Sequence, residues 1–240
     1  LLLMTIREPL RQKSIQNPGI ARPLRRLMSS RPLAIILFLL ILQAALLAVA
    51  DNGIYAWLPR LLSRLYQLQP TEIGLVLGVI VATAGAIAGP LSGKLSDYFV
   101  ESRGPGGPLL VIVGAIIAAT FVAPLFAMGS IALVYFATAV WVMAIVAATA
   151  TTFTFVSVAL PSHMRGVTAS LVTSVMALVG LGAGPTTIAV AMEGFAFARE
   201  RVDLAIVAAA LPLCCIALLL ALMAWRMAKR PDAFVLIDEE

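Results

Sequence analysis

Long apolar runs alternate with short charged or Pro/Gly-containing breaks along most of the chain. Six runs stand out: Leu33–Leu58, Thr71–Leu95, Leu109–Met128, Ile131–Leu160, Gly166–Met192 and Leu204–Met227. A helix needs about 20 apolar residues to cross the hydrocarbon core of a bilayer. Each run meets that length and is nearly free of charge. Lipid offers the backbone no hydrogen-bonding partner, so a spanning run must satisfy its own N–H and C=O groups as a helix. The pattern predicts an all-α membrane protein with six transmembrane helices. The breaks are short, with Gly129–Ser130 joining the third and fourth runs and Pro161–Arg165 the fourth and fifth. Short connections force antiparallel neighbours.

Polarity is spread unevenly over the six runs. The third and last, with Pro124 and Pro212, carry little of it and suit a lipid-facing periphery. The first, second, fourth and fifth hold almost all the intramembrane polar residues. This predicts four helices around a wet cavity and two behind them. The only acid deep in a run is Asp51, followed by Asn52 and Gly53. A carboxylate inside a membrane is costly and by default marks a pathway. Tyr55 lies one turn on and Gln43 two turns back, near the same face. One reading makes Asp51, Asn52, Tyr55 and Gln43 a substrate- or proton-binding group; the other places Asp51 hydrated at the outer boundary, with Gly53 breaking the helix. Trp141, Thr149 and Thr152 share a stripe on the fourth run that fits either a cavity wall or a helix contact. His163, the sole histidine, falls in a connection and reads as a solvated interfacial residue.

Composition agrees. The 240 residues are 61% hydrophobic and 12% charged, and the mean hydropathy is +1.02. Soluble domains carry roughly 25% charged residues. The net charge of +5 does not point to nucleic acid, because the cations sit at run ends, where they orient helices. Arg7, Arg11, Lys13, Arg22, Arg25, Arg26 and Arg31 crowd the segment before the first run, and Arg226, Lys229 and Arg230 follow the last. Lys94, Arg103 and Arg165 fall on the same side. The positive-inside rule then puts both ends of the chain in the cytoplasm. The segment Arg22–Arg31 mixes cations with Leu24, Leu27 and Met28, which fits a short helix on an anionic leaflet or a solvated linker. Cys214 and Cys215 are adjacent on one helix, diverge, and read as small apolar residues. No metal-ligand set, nucleotide loop or nucleophile–base pair is present, so no cofactor, metal or enzymatic activity is expected.

Leu1–Ile6 is apolar but too short to span, and reads as the tail of a preceding helix. The chain is therefore expected to be a piece of a longer protein. Residues 1–32 would form that tail and a basic cytoplasmic loop, 33–227 the six-helix bundle, and 228–240 a cytoplasmic tail.

The strongest local motif is Gly89-Pro90-Leu91-Ser92-Gly93-Lys94-Leu95-Ser96-Asp97, running off the second run into a connection. Gly89 and Gly93 form a small-xxx-small pair that permits close helix approach. Asp97 at the membrane edge can meet a basic group or a helix N-terminus. This Gly-x-Leu-Ser-Asp pattern resembles the loop motif of the major facilitator superfamily, in the degenerate form of its second half, with a single displaced cation, Arg103. Pro161-Ser162-His163-Met164-Arg165-Gly166 and Gly180-Leu181-Gly182-Ala183-Gly184-Pro185 resemble the region around helices ten and eleven of the spinster-like branch. Trp57-Leu58-Pro59 with Arg64 and Glu72-Ile73-Gly74 resembles its helices seven and eight, and Arg7-Glu8-Pro9 the exit of its helix six. Ala177 and Ala189 depart from the branch pattern, where a polar residue and Gly are expected.

The resemblance implies the C-terminal six-helix half of a twelve-helix transporter in a bacterial inner or plasma membrane. It implies a missing N-terminal half as partner, alternating access around a midplane site, a small organic or amphiphilic, lipid-like substrate, and a proton gradient as a candidate driving force. Gly89, Gly93, Asp97, Arg103, Arg165, Gly166, Gly180, Gly184 and Pro185 would form its conformational machinery, with Gly166 at a helix N-terminus. The alternative is a six-helix membrane scaffold or subunit that transports nothing.

Overall fold

The computed structural model describes residues 31–195, 201–230 and 234. The basic segment with Arg7-Glu8-Pro9 and the proposed surface helix before Arg31 lies outside the described residues, as does most of the 228–240 tail. Six helices follow in order: α1 (Arg31–Tyr66), α2 (Pro70–Arg103), α3 (Pro108–Val122), α4 (Ile131–Ala159), α5 (Ser162–Gly194) and α6 (Val202–Ala228). A 3-10 turn, Ala123–Ala127, extends α3 through Pro124. All six are long and apolar enough to cross a membrane. No strand occurs among the described residues.

Local chemistry sets the ends. Pro70 opens α2 at a position where its missing N–H costs nothing, and the Gln69 N–H donates to Glu72 Oε2 at 3.0 Å. Gly104, at φ 72°, closes α2. Gln67, at φ 56°, ends α1 and is the only non-glycine in the left-handed region among the described residues. Gly107 lets α2 and α3 meet, since a Cβ there would lie 2.1 Å from the Phe99 carbonyl oxygen.

The helices overrun the apolar runs that predicted them. α1 passes through Gly53 and Pro59 without a break, so the reading in which Gly53 ends the helix does not hold. The Gly89–Asp97 motif lies inside α2, not in a connection, because Pro90 does not break the helix, which ends only at Arg103. α5 begins at Ser162 after the extended Pro161. Gly166 is thus a full turn inside it, and His163 lies in the first turn.

Packing repeats itself. α1 packs chiefly on α5 and α6, as α4 packs chiefly on α2 and α3, and α3 meets α6. The pattern is unchanged when α1–α2–α3 is exchanged with α4–α5–α6. Three consecutive spans reverse the direction of the fourth, so the two triplets are inverted repeats. The large buried side chains Leu33, Ile36, Leu58, Ile112, Phe126, Trp141 and Phe155 fill the interior. The least covered helices are α2 and α5: 17% and 22% of their most apolar windows are buried, against 50% for α3. Leu75, Val79, Ile87, Leu171, Leu178 and Val190 stand exposed along them.

Candidate functional site

A cavity of about 370 Å³ opens between α1, α4 and α5. α1 contributes Gln43, Asp51 and Asn52; α4 contributes Thr149 and Thr152; α5 contributes Thr173 and Met176. Leu47, Ile145, Phe153 and Leu181 supply apolar wall. No residue of α3 or α6 lines it. Contrary to the expectation of four lining helices, none of α2 does either. Its polar side chains are turned elsewhere: Ser96 Oγ donates to Thr151 Oγ1 of α4 at 3.3 Å, and Ser92 Oγ donates to the Gly89 carbonyl at 2.9 Å.

Asp51 is partly buried in the cavity wall. Among the described residues its side chain accepts one hydrogen bond, from Trp141 Nε1 to Oδ1 at 2.9 Å. No cation pairs with it among the described residues. Trp141 itself is 1% exposed and stands edge-on to Phe126, centroids 6.4 Å apart. It therefore sits behind the cavity and holds the carboxylate from the rear, while Thr149 and Thr152 of the same stripe reach the cavity. Thr152 Oγ1 bonds back to the Ala148 carbonyl at 2.8 Å. Gln43 is 1% exposed, and its Oε1 has no hydrogen-bond partner among the described residues. Asn52 Nδ2 donates to the Ala48 carbonyl at 2.8 Å. Tyr55 is 39% exposed and does not line the cavity. Of the α5 wall, the sequence marks only Ala177, as a departure from the branch pattern; Thr173, Met176 and Leu181 are not anticipated. The wall's signal was a helical i, i+3, i+4, i+8 stripe, but Thr173 Oγ1 spends its hydroxyl on the Ala169 carbonyl at 3.0 Å.

Beside the cavity α1 and α5 cross at very short range. A Cβ on Gly180 would lie 2.8 Å from Asn52 Nδ2 and 3.0 Å from the Ala48 oxygen; one on Gly184 would lie 2.8 Å from Gly53 N. Just beyond, the Pro185 carbonyl accepts from Trp57 Nε1 at 3.0 Å. The crossing thus fixes the helix segment that carries Asp51 and Asn52.

The remaining motif residues are dispersed. Gly89, Gly93 and Gly166 have open space where a Cβ would go, so no described helix uses them for close approach. Asp97 is exposed and makes no hydrogen bond or ion pair among the described residues. Arg103 is exposed, with its guanidinium carbon 6.0 Å from the Phe99 ring centroid. Arg165 Nε donates to the Leu160 carbonyl at 2.8 Å, folding the side chain back over the α4–α5 turn. No group of three or more metal-ligating side chains occurs among the described residues.

A sequence model of the major facilitator superfamily matches residues 1–185. Among solved structures, the chain is similar to a bacterial homologue of the human lysosomal transporter Spinster, inward-facing and unoccupied. Identity is 21% and the TM-score 0.68, with 94% of this chain and 55% of that one covered. An inward-facing and occupied structure of such a homologue is similar at 22% identity and TM-score 0.62, covering 80% of this chain and 49% of that one. The chain spans about half the length of the solved structures it matches. No curated protein matches it. The fold, its inverted triplets and the family match over residues 1–185 agree: this chain belongs to the major facilitator superfamily.

Proposed function

We propose that the chain is the C-terminal half of a secondary active transporter. It works by alternating access, couples to protons through Asp51, and carries a small amphiphilic or lipid-like organic solute. Both ends of the chain face the cytoplasm in this reading, as the charge asymmetry requires. The observation that carries the proposal is Asp51: an intramembrane carboxylate with no cation beside it among the described residues, held by Trp141, in the wall of a three-helix cavity. An acid in such a position is costly unless function retains it. The cavity's few polar groups within apolar wall suit a solute with a polar head and an apolar body. The uncovered apolar faces of α2 and α5 support a partner half that packs there. Midplane sites between two such halves, exposed to each side in turn, give transport without ATP.

The test uses the full-length protein in proteoliposomes under an imposed pH gradient, with a pH-sensitive dye inside. The probes are a labelled lysophospholipid, a labelled fatty acid and a cationic dye. Gradient-driven accumulation of at least one probe above protein-free vesicles is expected. Asp51→Asn should abolish the gradient dependence while expression and elution profile stay normal. If no probe accumulates, the reading as a carrier of amphiphilic solutes fails. If uptake by Asp51→Asn matches the unmodified protein at every pH, Asp51 is not the coupling group.

A further inference from the structure

A second concavity, about 520 Å³, lies between α2, α3 and α4. It sits on a different face of α4 from the Asp51 cavity: Met143, Ala144 and Ala147 face it, whereas Ile145, Ala148 and Thr149 face the cavity. Its wall on α2 is Leu91, Leu95 and Phe99, and on α3 Gly114 and Ala118. Ser92 is its only polar side chain, and that hydroxyl already bonds the Gly89 carbonyl. A groove this apolar holds no water.

Two features say what fills it. Along α2 it runs from Ala88 to Phe99, about 16 Å at 1.5 Å per residue. That is about half of the ~30 Å hydrocarbon core, the depth of one leaflet. At its outer end stands Arg103, one turn beyond Phe99 and resting on that ring. Arg103 has no acidic partner among the described residues. Asp97 and Glu101, two residues either side of Phe99, project from the opposite side of the helix. The groove is thus an apolar channel of one-leaflet depth with a guanidinium at its head that no acid among the described residues compensates.

We propose that this groove binds an anionic glycerophospholipid, one acyl chain along Leu91, Leu95 and Gly114 and the phosphate on Arg103. Arginine suits that headgroup because its planar fork meets phosphate oxygens in pairs. The site is separate from the Asp51 cavity and does not depend on what the cavity carries.

Native mass spectrometry of the full-length protein in mild detergent tests this, titrating phosphatidylglycerol and phosphatidylcholine of matched chains. Phosphatidylglycerol should bind more tightly. Arg103→Gln, a surface change, should weaken phosphatidylglycerol about fivefold, the effect of one cation near an anionic headgroup, and weaken phosphatidylcholine less, because its choline already offsets the phosphate charge. Gly114→Phe grows into space that is open within 4 Å of its Cβ position and should weaken both lipids. Equal binding of the two lipids to the unmodified protein would overturn the proposal. So would unchanged phosphatidylglycerol binding in Gly114→Phe. If Gly114→Phe instead alters the oligomeric state, protein rather than lipid covers the groove, and the proposal fails.

Discussion

Replacing Gly184 by Ala isolates the α1–α5 crossing. The added methyl would lie 2.8 Å from Gly53 N, 2.9 Å from Asn52 Cβ and 2.9 Å from the Val49 oxygen. Two of the three atoms are backbone and the third is a Cβ, so no rotamer change relieves the clash. Non-bonded carbons settle at about 3.5–4.0 Å, so the helices must part by about 0.6–1 Å. Overpacking of this kind costs about 1–3 kcal/mol. Ala is favoured over Gly in a helix by about 1 kcal/mol, which offsets part of that cost. The net expectation is a loss of about 0–2 kcal/mol. Gly114→Ala is the matched control, since nothing lies within 4 Å of its added methyl. Only the helix preference remains there, and a gain of about 1 kcal/mol is expected. In chains of this size each kcal/mol moves Tm by about 2–4 °C. Thermal unfolding of the purified full-length variants, followed by tryptophan fluorescence, should separate the two by several degrees. A Gly184→Ala Tm equal to or above that of Gly114→Ala would refute the close crossing.

Other outcomes follow from single contacts. Trp141→Phe keeps the ring against Phe126 but removes the one donor to Asp51, which should cost about 1.5–3 kcal/mol if the carboxylate is charged. A double-mutant cycle with Asp51→Asn measures that coupling, and a value near zero would mean the 2.9 Å contact carries no energy. Asp97→Ala should leave the stability of the six-helix bundle untouched, because Asp97 is unpaired there. In the full-length protein it should shift the gate toward inward-open by about 1 kcal/mol, the scale of a charge at a helix end. Spectroscopic distances across the gate that match the unmodified protein would make it a merely solvated residue. Gly107→Ala should disrupt the α2–α3 corner, since its methyl would overlap the Phe99 carbonyl at 2.1 Å; normal yield and Tm would contradict that geometry.

The spans were legible because lipid makes length and apolarity the same requirement. Their ends were not. α1 runs on from Leu58 to Tyr66, and α2 from Leu95 to Arg103. Those turns carry Arg60, Arg64, Asp97, Glu101 and Arg103, which an apolarity criterion reads as loop, although a solvated helix turn accepts them freely. The small-xxx-small signal was half informative. A Cβ on Gly180 or Gly184 would come within about 3 Å of α1, yet Gly89 and Gly93, at the same spacing, face open space. Spacing records that a helix could approach, not which one does. Asp51 was legible as a candidate because a buried charge is dear. Its partner was only half so: Trp141 was grouped with Thr149 and Thr152 by helical phase, but phase does not give depth behind the wall.

The inverted triplets explain why the cavity is lopsided. Equivalent packing, α1 on α5 and α4 on α2, is achieved with different chemistry. The α1–α5 crossing is made by glycines against backbone, and the side-chain donors beside it, the Asn52 amide and the Trp57 indole, go to backbone carbonyls. Asp51 and Gln43 are left in the cavity wall, and Gln43 Oε1, itself buried, has no partner among the described residues. The α4–α2 contact instead uses hydroxyls, with Ser96 bonded to Thr151 and both at most 1% exposed. Polar groups spent in packing are unavailable to a solute. The same fold symmetry therefore yields one face that keeps a carboxylate and an amide and another that is apolar but for a satisfied Ser92, which is where the Asp51 cavity and the proposed lipid groove respectively form.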